Sequence, residues 1–154
     1  MKKELLEFKN FVSNYDLKTL EIKYKYDHSI RVMKIGNTIA KDLNLSDEEV
    51  YMVTLSCLLH DLARFDQWKN FQTFRDDKSF DHGDYAYNYI KNNNYLRKYT
   101  LNDKYDKEIL WSIKSHNKFK IEECSQSEML FSKIVRDADK VDIVLNHGIT
   151  IFSN

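Results

Sequence analysis

Residues 55–65, LSCLLHDLARF, run from a mostly apolar stretch into an adjacent imidazole and carboxylate, His60 and Asp61. Upstream, Ser46 is followed three residues later by Glu49, the spacing of a capping box, in which hydroxyl and carboxylate satisfy each other's backbone N–H. A helix is therefore predicted over about 47–64, with this stretch as its second half. His60 falls seven residues after Val53 and Asp61 eleven after Val50, so both flank the core stripe of that helix. Neighbouring helical side chains diverge by about 100°. Both can reach one centre only if it sits at the edge of the stripe.

Working outward, apolar residues recur at three- and four-residue spacings in a chain with no Pro and three Gly, so helix breakers are nearly absent. Helices are predicted at about 3–14, 18–43, 83–97, 104–117 and 127–145. Their stripes are Leu5, Phe8, Val12 and Tyr15; then Val32, Ile35, Ile39 and Leu43; then, near the end, Ile134, Ala138, Val141 and Leu145. Residues 66–81 lose the periodicity and mix aromatics with charges, which reads as a surface loop lying over something. With no repeat, linker or low-complexity segment, one all-α domain over residues 1–154 is the economical architecture, a compact helical bundle.

The 24 basic and 24 acidic residues cancel and are spread along the chain, so nucleic acid is not the expected partner. Cys57 and Cys124 follow no metal-type spacing, and Cys57 reads as a reduced core thiol. No run of 18 apolar residues occurs, and the first residues carry charges unlike a signal peptide. A soluble cytoplasmic domain is expected, with no membrane contact.

Four of the five histidines occupy four different predicted helices. His28 shares a face with Val32, Ile35 and Ile39, and His116 lies seven residues after Ile109. His82 opens its helix, with Tyr85, Ala86 and Tyr89 following on the same side. A lone inward histidine is commonly a hydrogen-bonded core residue. Four of them beside an inward aspartate would each need an internal partner, and a shared cation satisfies several at once. Neutral imidazole and carboxylate suit iron, manganese, cobalt, nickel or zinc.

The HD pair in LLHDLARF, with a histidine upstream in YDHSIRV and others downstream in DHGDYA and IKSHNK, and an aspartate in RDADKVD, resembles the HD-domain superfamily of metal-dependent phosphohydrolases. The resemblance runs from about Asp27 to Asp142. It implies an all-helical bundle with a metal centre between helices. His28, His60, Asp61 and Asp139 would hold a first divalent metal. His82 and His116 match the subset that binds a second, with Asp61 bridging. The metals would be two ions of Fe, Mn, Co, Ni, Zn or Mg. The implied reaction is cleavage of a phosphoester or phosphoanhydride bond in a small phosphorylated metabolite or nucleotide, by a metal-activated hydroxide. Asp61 and Arg64 would serve catalysis, and Arg64 and Lys140 would bind the phosphate. A minority of the family uses the centre as di-iron for oxygenation, and a regulatory module with an idle site is a further alternative.

Periodicity leaves the late aspartate open among Asp137, Asp139 and Asp142, and the choice of Asp139 rests on the resemblance alone. The chain stops fifteen residues after Asp139, where many relatives continue. A minimal form, a truncated one, and one that completes its pocket by homodimerising stay open. No G-Y-P sequence or second adjacent His pair places it in the cyclic-dinucleotide branch. His147 lies outside the pattern and reads as a surface residue.

Overall fold

Seven α-helices follow one another along the part of the chain that the computed structural model describes, residues 1–152, with side chains described through Asn146. They are α1 (Lys2–Val12), α2 (Leu20–Asp42), α3 (Asp47–Leu59), α4 (Ala63–Phe71), α5 (His82–Asn92), α6 (Asp106–Ser115) and α7 (Gln126–Phe152). Short 3-10 turns occupy Asp76–Lys78 and Tyr95–Lys98, and no strand occurs among the described residues. No helix there is long and apolar enough to cross a membrane. The protein is all-helical, as the periodicity predicts.

The capping box forms as expected at the start of α3, Ser46 accepting from the Glu49 N–H and Glu49 from the Ser46 N–H. From Met52 onward the helix it opens is buried on every side. Val50 and all residues from Met52 to Leu59 are buried, against α2, α6 and α7. A helix apolar all round belongs in the centre of a core, and α3 is that centre. The stripe-edge condition on His60 and Asp61 therefore dissolves, because protein surrounds both directions.

Other helices end without glycine. Asn44, Gln72 and Asn94 adopt φ of 56°, 53° and 49° after α2, α4 and α5. Asparagine tolerates this left-handed region better than most residues. That is why the helix predicted over 83–97 stops at Asn92 and gives way to a 3-10 turn.

Three expectations are corrected. The helix over 47–64 is interrupted at the HD pair, where the Leu62 N–H bonds the Leu59 carbonyl at 3.1 Å and the Arg64 N–H bonds the Asp61 carbonyl at 2.9 Å. Such i→i−3 bonds mark a tightened turn. Residues 66–71, expected in a loop, continue α4. Its inward position four residues after Ala63 is Gln67, fully buried, and a polar residue there hid the stripe. Two stripes were also rotated: Leu43, Val141 and Leu145 are 52%, 41% and 58% exposed. On α7 the buried side runs instead through Phe131, Val135, Ala138 and Asp142, a carboxylate that burial tolerates only because it is paired.

Gly36 lies at the crossing of α2 over α3. A Cβ there would fall 2.2 Å from Cys57 Sγ and 3.2 Å from Cys57 Cβ. Helix propensity alone favours alanine by about 1 kcal/mol. Overpacking opposes it, and Gly36→Ala is expected to destabilise the fold by about 1–3 kcal/mol in urea titration. Adding Cys57→Ala should recover part of that loss. A Gly36→Ala protein more stable than the parent would show that the helices can separate freely.

Candidate metal centre

Each of the four histidines has its Nδ1 tied to an acceptor, by one of two local devices. His60 and His116 sit directly after α3 and α6, where carbonyls of the last turn lack helical partners. Their Nδ1 atoms donate to Cys57 O and Ile113 O, each at 2.7 Å and each three residues back. His82 and His28 use carboxylates instead. His82 Nδ1 lies 2.7 Å from Asp76 Oδ2, and His28 Nδ1 lies 2.7 Å from Asp142 Oδ2. Asp142 is steadied by Arg31, whose Nε donates to Oδ1 at 2.7 Å. Carbonyl and ionised carboxylate oxygens only accept, so in the neutral rings Nδ1 carries the proton and Nε2 presents a lone pair.

The four Nε2 atoms converge on Asp61, whose side chain is almost wholly buried. Asp61 Oδ2 faces His28 Nε2 at 3.4 Å and His60 Nε2 at 3.6 Å. Asp61 Oδ1 faces His116 Nε2 at 3.4 Å and His82 Nε2 at 3.6 Å. Asp139 Oδ1 stands 3.1 Å from His28 Nε2 and 3.5 Å from His60 Nε2. Despite these approaches, His28 Nε2 and His60 Nε2 are buried and make no hydrogen bond. His82 Nε2 and His116 Nε2 lie 3.0 Å apart, two lone pairs that repel unless a proton or cation lies against both. Buried acceptors turned toward one another without donors are what a cation site requires. Two sets of donor atoms, from His28, His60 and Asp139 and from His60, Asp61 and His116, each lie within 4.8 Å of one another. The residues fit divalent metal.

The electrostatics point the same way. Burial works against ionisation of Asp61, yet Lys25 and the imidazoles hold its carboxyl well below the usual range. Asp139 is likewise held low, His28 and His60 outweighing burial. Burial lowers His82 to about 4, keeping it in the neutral form that ligates. His28 is opposite: burial resists its charge, but Asp139 and Asp61 push it up to about 9. A proton on His28 answers the same excess of negative charge that a cation would.

The six residues expected as ligands, His28, His60, Asp61, His82, His116 and Asp139, are thus brought together from α2, the α3–α4 turn, α5, the end of α6 and α7. Asp137 is exposed, and Asp142 faces His28. Arg64 reaches the centre, its Nε 3.6 Å from Asp61 Oδ1. Its Nη1 donates to Gln67 Oε1, Phe74 O and Asp76 Oδ1 at 2.6, 2.7 and 3.1 Å. Lys140 is exposed and makes no ion pair among the described residues. The His147 side chain lies outside the described residues.

Sequence reasoning missed Lys25, Asp76 and Gln67, and a glycine. Lys25 Nζ sits 2.8 Å from Asp61 Oδ2, and its position three residues before His28, one helical turn, was a usable signal. Gln67 donates to Asp76 Oδ1 at 2.9 Å and Ser79 Oγ at 2.8 Å, holding the segment that orients His82. Nothing in the pattern marks a loop aspartate for that task. Gly83 lets the start of α5 press against the end of α6. A Cβ there would meet Lys114 O at 2.6 Å and Asn117 Oδ1 at 2.3 Å.

This all-helical bundle gathers imidazoles and carboxylates between its helices in groups that could hold a metal ion. A family model described as HD domain matches residues 26–143, most of the chain, and the protein belongs to that family. Membership implies a metal-dependent hydrolase family. Comparison with curated proteins and with solved structures gave no match.

The three late aspartates should rank by what they touch. Asp139→Ala is expected to abolish metal uptake at micromolar metal, whereas Asp142→Asn should weaken it about tenfold to a hundredfold by releasing His28. Asp137→Ala should leave it unchanged. Titration with a chromophoric chelator measures all three. Weaker binding in Asp137→Ala than in Asp142→Asn would contradict the assignment of α7.

Proposed function

We propose that the protein is a phosphohydrolase with a dinuclear centre, cleaving a phosphoester or phosphoanhydride bond in a small phosphorylated metabolite, a nucleotide among them. The observation that carries this reading is that the two oxygens of Asp61 face different imidazole groups. His28 and His60 face Oδ2, with Asp139 Oδ1 against the same two rings, and His82 and His116 face Oδ1. A bridging carboxylate between two histidine sets is the arrangement by which two divalent cations share one ligand. Such cations supply an ionised water at neutral pH and offset the charge that grows on a phosphoryl group.

The chain's own residues do the rest. Asp61, held ionised by Lys25 and the imidazoles, offers one oxygen to each of the two halves. Asp142 and Asp76 fix the rings of His28 and His82 through Nδ1, leaving Nε2 aimed inward. Arg64, 14% exposed, brings a guanidinium beside Asp61 and suits a developing phosphoryl charge. Lys140, exposed on α7 next to Asp139, would contact an outer phosphate. These cations favour a phosphorylated substrate over the neutral one that an oxygenase would take.

Metal analysis by plasma emission should find two cations per chain. His82→Ala and His116→Ala should each retain close to one, and both losing none would remove the dinuclear part of the reading. Phosphate release from a panel of nucleotides and sugar phosphates, with manganese, cobalt or ferrous iron, should be equal under air and nitrogen. Arg64→Ala should lower turnover by about tenfold to a thousandfold at saturating metal. Oxygen consumption without any phosphate release would move the protein to oxygenation.

A further inference from the structure

Lys25 is the least explained charge at the centre. Its side chain is only 12% exposed, and its Nζ lies 2.8 Å from Asp61 Oδ2, the oxygen directed at His28 and His60. Two rings wall it in, Phe74 at 5.2 Å and Tyr24 at 5.8 Å from ring centre to Nζ. Phe74 also meets the Arg64 guanidinium at 5.7 Å, so one ring lies against both cations that attend Asp61. The two cations differ in freedom. Arg64 Nη1 is committed to Gln67, Phe74 and Asp76, whereas the ammonium of Lys25 pairs with Asp61.

A divalent cation among His28, His60 and Asp139 would compete with Lys25 for Asp61 Oδ2. Displaced, a mostly buried ammonium needs another anion, because burying it unpaired costs several kcal/mol. On its own helix Asp27 already pairs with Lys23 at 2.6 Å, which leaves Glu21, one turn earlier, as the one acid of α2 in reach. A phosphorylated substrate entering on the side of Phe74 and Tyr24 would bring such an anion to the ammonium.

Resting on the dinuclear phosphohydrolase reading, we propose that Lys25 is a substrate-binding residue that exchanges Asp61 for a phosphoryl oxygen, and that the site takes a terminal, dianionic phosphate. Charge supports the second part. Arg64 is balanced by Asp76 and Arg31 by Asp142. Asp61, Asp139 and the ionised water contribute three negative charges, Lys25 one positive and two divalent cations four positive, which leaves a surplus of two. A phosphate monoester dianion offsets more of that surplus than a diester monoanion and has oxygens to spare for Lys25. The rings over Lys25 would meet the group that the phosphate carries.

The test compares the parent with Lys25→Met and Lys25→Arg, each loaded with manganese, reading inorganic phosphate affinity by calorimetry and manganese affinity without phosphate. Lys25→Met should bind phosphate about tenfold to a hundredfold more weakly, the scale of one charged hydrogen bond. Its manganese affinity should be equal or higher, since nothing competes for Asp61. Lys25→Arg should keep most of the phosphate affinity. Lys25→Gln replaces the methionine variant should that one not fold. Unchanged phosphate affinity in Lys25→Met, or a parallel fall in manganese affinity, would overturn the role of Lys25 while leaving the metal centre standing. Methyl phosphate should compete with inorganic phosphate and dimethyl phosphate should not; equal competition would overturn the dianion preference. A parent protein that takes up no manganese would instead refute the metal reading itself.

Discussion

The buried carboxylate of Asp61 is the constraint around which the molecule is organised. An ionised group so nearly removed from water survives only when positive charge or donors surround it. The chain meets part of that demand with Lys25 and Arg64, and turns four imidazoles from several separate elements toward the same carboxylate, where a cation would complete it. Each element must hold its registration to within an ångström or so for this to work. The apolar helix α3, enclosed on all sides, is what fixes that registration, because α2, α6 and α7 all pack on it.

The orientation of the rings shows how local and distant devices divide the work. His60 and His116 are aimed by the ends of their own helices, each ring bonded to a carbonyl three residues back. That device needs no partner from elsewhere. His28, in the middle of α2, has no unpaired carbonyl to use and takes Asp142 from α7, 114 residues away. His82, at the start of α5, takes Asp76 from the preceding loop, and Gln67 and Arg64 hold that loop in place. The polar network around Gln67 is thus a scaffold for one ring rather than an accident of the surface.

The readable part of the site was the part encoded locally. Helix faces and the capping box place His28, His60, Asp61, His82 and His116, because 3.6-residue periodicity acts within one element. The late aspartate was not readable that way. Asp142 occupies an inward position on α7 that the stripe reading assigned to Val141 and Leu145, and only its pairing with His28 and Arg31 makes a carboxylate acceptable there. The same limit hid α4, whose inward residue is an amide serving the Asp76 loop. Where a polar side chain takes a buried place by virtue of a distant partner, hydrophobic patterning points to the wrong face.

Gly83 carries a consequence for how such a centre changes over evolutionary time. His28, His60 and Asp139 stand on helices that share the main core, so their arrangement changes only if the whole bundle does. The meeting of His82 with His116 depends instead on the start of α5 lying against the backbone of Lys114, a contact with room for a hydrogen but not a methyl. One half of the cluster is insured by the fold, and the other hangs on a single atom of clearance. In lineages descended from such a chain, a larger residue at this position would part the two rings with every ligand still in the sequence, which makes an intact set of histidines an incomplete record of the cluster's geometry.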